Sequence, residues 1–187
     1  ESGTPVAIGL EMFRTDSQDH LDQWVNGGIS EKEFQRVFYD NWGFSWALYS
    51  MIFEFAREMK LPLVALNVPR SVTQQVARGG FQSLSQEQRA KLPFVECRVD
   101  PEYMDFIKRA YGAHGHGNMN FTNFCEAQLV WDETMALHAV EYMKKNPDRT
   151  LVVLAGTGHA WKKGIPERIK ERSSLPYAVL LPEIPDY

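Results

Sequence analysis

The sequence has only two cysteines, Cys97 and Cys125. Neither sits in a C-x-x-C or comparable spacing, so a thiolate zinc site and a disulfide-framework fold are both disfavoured. Whether the two pair with each other stays open at this level. Positive charge is also scarce, with 20 Lys and Arg against 24 Asp and Glu, a net charge of −4 and a pI of 5.8. No basic field exists to hold a polyanion, and a nucleic-acid partner is not expected. No apolar run approaches the roughly 20 residues that a membrane-spanning helix needs. No charged-then-apolar leader opens the chain, which starts at Glu1 without a methionine, and the expectation is that a leader or an N-terminal segment has been removed.

Large rings, by contrast, are plentiful: aromatic residues are 12% of the 187 residues, in a chain that is 44% hydrophobic and 24% charged. This is the balance of a compact globular protein, and rings in such number are either buried or used for binding. Short continuous runs rich in Val, Ile and Leu fall at Val6–Leu10, Leu61–Leu66, Leu151–Leu154 and Tyr177–Leu181. Such runs are the pattern of strands covered on both faces. Helical signals lie between them. Ser30 with Glu33 and Ser85 with Gln88 read as capping boxes, Ser71 as an N-cap and Pro101 as the first turn of a helix to about Tyr111. A stretch from Ser45 to Met59 is apolar nearly all round and is expected to be buried, and a long helix is expected from about Asn123 to Lys145. Strands separated by helices predict an α/β fold with a largely parallel sheet and flanking helices. The spacings are longer than single crossovers need, so helical insertions are expected at about residues 15–55 and 80–120 of one domain spanning residues 1–187.

In a parallel sheet, ligands bind outside the C-terminal edge of the strands. Glu11 follows the first run, Asn67 and Arg70 the second, and Gly156-Thr-Gly-His159 the third. A carboxylate, an amide with a guanidinium, and an imidazole are thus candidates for one site, although Glu11 and Asn67 serve equally well as helix caps. The Gly156-x-Gly158 turn lacks the third glycine of a dinucleotide fingerprint and the Lys-Ser/Thr of a P-loop. In the long helix Gln128 and Asp132 interrupt a stripe formed by Cys125, Leu129, Ala136, Ala139 and Met143. A carboxylate there needs a partner, either as a structural ion pair to Arg70 or a helix end or as the group that orients His159. His114 and His116 alternate with glycine in a loop that either folds over a ligand or supplies two ligands to a divalent metal.

Five blocks then carry a resemblance: Val6-Ala-Ile-Gly-Leu-Glu11-Met-Phe13 with Gln18, Ala65-Leu-Asn67-Val-Pro-Arg70, Ala127-Gln128-Leu-Val-Trp131-Asp132-Glu-Thr-Met135-Ala136, Val153-Leu-Ala-Gly156-Thr-Gly158-His159, and Gly164-Ile-Pro-Glu-Arg168. In this order the chain resembles the ChaN family of haem-binding, iron-regulated lipoproteins, within the Tiki and erythromycin esterase superfamily. The resemblance implies a parallel sheet with a small helical subdomain. It further implies haem held at a pocket of the helical insertions or of a dimer by a tyrosine, for which Tyr49 and Tyr111 are the first choices. A role in haem or iron uptake, a homodimer, an outer-membrane haem receptor as partner, and a periplasmic or membrane-anchored location in bacteria are implied with it. The superfamily's hydrolytic members imply the alternative, a metal-dependent hydrolase with Glu11, His159 and Asp132 in catalytic roles. Their N-terminal Gly-Glu-x-His block is not in this chain, so the N-terminal part of the family domain is expected to be missing.

Overall fold

A computed structural model of the chain describes residues 3–97, 99–113 and 120–181. It has two compact units, one formed by Glu1–Pro69 and His138–Ala155, the other by Arg70–Leu137 and Gly156–Tyr187.

The first unit holds a parallel three-stranded sheet of β1 (Val6–Arg14), β2 (Leu63–Asn67) and β3 (Thr150–Leu154), in the order β2-β1-β3. Ile8, Gly9 and Leu10 pair with Leu63, Val64 and Ala65 on one side and with Val152, Val153 and Leu154 on the other. The apolar run at 6–10 is central and buried, as its composition requires. Gly9 is needed there, since a Cβ would stand 2.9 Å from Leu66 Cδ1. β1 continues past Leu10 through a register irregularity to Arg14, which pairs with Asn67. Glu11 and Asn67 therefore lie within strands rather than just after them, a correction that follows from the bulge letting both strands run on.

The helices of this unit are α1 (Gln18–Asn26), α2 (Glu31–Asn41) and α3 (Ser50–Glu58). Ser30 and Glu33 form the expected capping box at the start of α2. Gly27, at φ 79°, ends α1 in the left-handed conformation that favours glycine. The aromatic residues explain themselves here. Trp24 stacks on Phe34 at 4.5 Å, Phe34 meets Phe13 and Phe53 edge-on or stacked within 5.8 Å, and Trp46 lies 5.3 Å from both Phe38 and Phe53. Each such pair adds about 0.5–1.5 kcal/mol beyond the area it buries. The Trp24 indole also donates to the Phe53 carbonyl at 2.8 Å.

Two expectations fail in informative ways. The stretch Ser45–Met59 is not one buried helix but a 3-10 turn, Trp46–Leu48, followed by α3. Only one face of α3 is buried, through Phe53 and Ala56, while Leu48, Met51, Phe55 and Met59 are exposed. The run Tyr177–Leu181 is not a strand. An apolar run records a tendency to be covered, but a strand exists only where a neighbour supplies the ladder, and among the described residues none pairs with this one.

The second unit has helices and no strand among its described residues: α4 (Arg70–Gly79), α5 (Gln86–Ala90), α6 (Pro101–Ala113), α7 (Phe121–Lys145), α8 (Thr157–Ala160) and α9 (Ile165–Arg172), with α7 also supplying residues to the first unit. Ser85 and Gln88 form a capping box as expected, whereas α4 starts at Arg70, one residue before the cap expected at Ser71. Cys97 and Cys125 form a disulfide with Cα atoms 5.6 Å apart. It ties the segment before α6 to the buried side of α7 across 28 residues, a closure worth typically 2–4 kcal/mol. Among the described residues no helix is long and apolar enough to cross a membrane.

Candidate functional site

The carboxylate of Asp132 is the most costly group in the helical unit, because it sits on α7 with 1% exposure among apolar neighbours. Both of its oxygens are met. The Tyr103 hydroxyl donates to Oδ2 at 2.5 Å, and the Nδ1 of His159 lies 2.6 Å from Oδ1. Arg70, expected as a partner, is not among those found, since the two near groups already occupy both oxygens.

Local sequence explains how the three side chains meet. Pro101 opens α6, and Asp100 caps it by accepting from the amides of Glu102 (3.0 Å) and Tyr103 (3.1 Å). Asp100 also pairs with Lys163 at 3.1 Å. Burial acts to raise the Asp100 pKa, but the Tyr103 amide and the Lys163 ammonium outweigh it and hold the carboxyl below its usual value. On the other side, Gly156 starts the short helix α8 that carries His159. Gly158 admits the Phe106 ring, whose Cζ would stand 2.9 Å from a Cβ. Gly164 is stricter, since a Cβ there would lie 2.4 Å from the His159 carbonyl oxygen.

Aromatic and ionic groups surround the array. Trp161 stacks on Tyr103 at 6.3 Å and lies 5.4 Å from Phe106, while Trp131 meets the His159 ring edge-on at 5.8 Å. The Arg168 guanidinium lies 5.5 Å from the Tyr103 ring centre and pairs with Glu133 at 3.2 Å, and Arg172 also pairs with Glu133. Burial, followed by the neighbouring Asp132 charge, pushes the Tyr103 phenol far above its ordinary value, so it remains a donor. Burial likewise raises Glu133, against the opposing pull of Arg172 and Arg168.

An ionised Asp132 can only accept, so the proton between it and the imidazole belongs to Nδ1, and Nε2 is the nitrogen able to act as base or ligand. A carboxylate on one imidazole nitrogen is the usual support for a histidine that works through the other.

The remaining expected site residues are distributed as follows. Glu11 is buried in β1, and its carbonyl accepts from the Asn67 side chain at 2.8 Å, while the Asn67 Oδ1 accepts from the Val68 amide at 2.8 Å. Gln128 is half-buried on α7, one turn before Asp132, and Arg70 is exposed at the start of α4. Tyr111, half-buried on α6, meets Phe121 and Phe124 edge-on or nearly so at 5.5 and 5.4 Å. Tyr49, half-buried, directly precedes α3, lies 5.7 Å from Phe38 and packs against the aromatic cluster of the first unit. His114 and His116 lie outside the described residues. No group of three or more His, Cys, Asp or Glu able to hold a metal occurs among the described residues. Nothing in the sequence sets Tyr103 apart from the other tyrosines of the helical insertions, since a tyrosine carries no mark of a carboxylate partner 29 residues away.

Residues 1–169 match the family described as "Haem-binding uptake, Tiki superfamily, ChaN". The chain belongs to the ChaN family. Among solved structures it is similar to ChaN of Campylobacter jejuni, described as binding haem cofacially, with 21% identity and a TM-score of 0.69 over 91% of this chain and 65% of that one. This likeness shows the ChaN fold, and the chain spans 65% of that protein's length. A weaker structural similarity is to a mutant of the erythromycin esterase EreC in its open conformation, at 14% identity and a TM-score of 0.48, covering 92% of this chain and 60% of that one. The chain has no match among curated proteins.

Proposed function

We propose that this chain binds haem on the apolar face of α3 beside Tyr49 and serves haem or iron uptake. The observation that carries this is the exposure of Met51 and Phe55 on α3, with Leu48 before it and Met59 just after it, while Phe53 and Ala56 bury the other side of the helix. Exposed apolar residues grouped on one side of a helix, here beside the exposed Glu54 and Glu58, mark a surface that takes a ligand or partner. Haem is a flat apolar ring, and a tyrosine phenolate is one of the protein groups that ligate its iron. Tyr49 is the residue directly before α3 and next in sequence to the exposed Leu48, whereas Tyr111, on α6 of the other unit, is packed between Phe121 and Phe124. Family membership points to the same ligand. The Cys97–Cys125 disulfide supports an oxidising compartment, consistent with a periplasmic or lipid-anchored protein that exchanges haem with an outer-membrane receptor.

Asp132 behind His159 favours one further reading, hydrolysis with His159 as base or metal ligand. Titration with haemin together with an assay of bound metal separates the two. Saturable haem binding with a tyrosinate-type spectrum, lost in Tyr49→Phe, supports the first, whereas stoichiometric metal without haem binding supports the second.

A further inference from the structure

The Cys97–Cys125 disulfide and the Tyr103–Asp132 hydrogen bond join the same two stretches of chain within the helical unit. Cys97 and Tyr103 flank the start of α6. Cys125 and Asp132 lie two turns apart on one buried face of α7. Little else holds the first stretch. Between α5 and α6 the described residues form no helix or strand, and among the described side chains of α6 only Tyr103 and Ile107 are buried. A helix of 13 residues is marginal by itself in water, so the position of α6 depends on these two side chains, on the pairs Asp100–Lys163 and Glu102–Lys162, and on the disulfide.

The two sulfurs differ in access, since Cys125 is buried on α7 and Cys97 is half-buried in the irregular segment. We propose that this disulfide is a redox-sensitive tie that sets the state of His159 through Tyr103 and Asp132. A dithiol is the reductant. Its thiolate attacks the Cys97 sulfur, the S–S bond breaks, and the Cys125 sulfur leaves and takes up a proton; the second thiol then releases Cys97 as a thiol and closes the reductant's own disulfide. With the tie cut, the Tyr103 hydroxyl leaves Oδ2, and the Asp132 carboxylate serves the Nδ1 proton of His159 alone. An unshared carboxylate makes the imidazole a stronger base or ligand at Nε2. Reduction thus re-tunes a side chain on α8 without touching it, and the proposal rests on neither haem binding nor hydrolysis.

The test compares wild type and Tyr103→Phe, each oxidised and after treatment with dithiothreitol, by the ring-nitrogen NMR shifts of histidine-labelled protein, with His159→Gln to assign the signal. Reduction of the wild type and the Tyr103→Phe substitution are expected to move the His159 Nδ1 signal in the same direction. In Tyr103→Phe, reduction is expected to move it by less than half the wild-type amount. The double variant Cys97→Ser with Cys125→Ser is expected to show the reduced position without reductant. The proposal is overturned if the signal stays in place on reduction of the wild type, if Tyr103→Phe responds by half the wild-type amount or more, or if the double variant keeps the oxidised position. Loss of helical circular dichroism on reduction also overturns it, since the disulfide would then hold the fold as a whole.

Discussion

In the sheet unit, Met51 and Phe55 stand exposed on α3 while the opposite face of the same helix joins a cluster of packed aromatic rings. In the helical unit, Asp132 is withdrawn almost completely from water and held by Tyr103 and His159. The first unit leaves outside what water disfavours, at a cost of about 25 cal/mol for each Å² of apolar surface kept wet. The second takes inside what water favours, at a cost of several kcal/mol unless each oxygen is met. Departures of these two kinds tend to fall where a protein binds or reacts. They also call for different chemistry, a flat apolar ligand at one and an oriented imidazole at the other.

Substitutions can sharpen this contrast. Phe34→Ala, at the centre of the aromatic cluster, is expected to cost about 3–5 kcal/mol in denaturant unfolding, since it opens a cavity among rings that cannot collapse. Asp132→Ala is expected to cost about 3 kcal/mol by leaving the Tyr103 hydroxyl and the His159 imidazole without their acceptor. A near-neutral result would place Asp132 on a solvated surface and dissolve the array. Tyr103→Phe leaves one carboxylate oxygen unmet and is expected to cost about 1–3 kcal/mol. It also changes the alkaline limb of stability. The Tyr103 pKa is raised in the folded state, so its contribution is complete below the ordinary phenol value of 10.0 and is lost as pH rises above it. Stability of the wild type should fall more steeply than that of Tyr103→Phe in that range, as followed by circular dichroism. Met51→Gln, on the exposed face of α3, is expected to stay within about 0.5 kcal/mol of the wild type. A larger loss would show that the face is already covered.

Much of this was legible in the sequence, and what was missed shares a cause. Runs such as Val6–Leu10 and Leu63–Leu66 announce their strands because period and composition are local properties. The capping boxes at Ser30 and Ser85 are local too. The need of Asp132 for a partner follows from the apolar stripe around it, and His159 is an expected one, but Tyr103 comes from a separate helix and carries no local signal. The extension of β1 through Glu11 depends on a bulge relative to β2, which no single run encodes. Apolar stretches also misled in one direction. The apolar composition of Ser45–Met59 and Tyr177–Leu181 predicts buried elements, although composition records only that a surface prefers cover and not whether this chain supplies it.

The central claim, that the apolar face beside Tyr49 is a haem site, is tested most directly by titrating the wild type, Tyr49→Phe and Tyr111→Phe with haemin while recording absorption spectra. The account predicts saturable binding with a tyrosinate-type spectrum in the wild type and in Tyr111→Phe, and loss of that spectrum in Tyr49→Phe. An unchanged spectrum in Tyr49→Phe, or its loss in Tyr111→Phe alone, would contradict it.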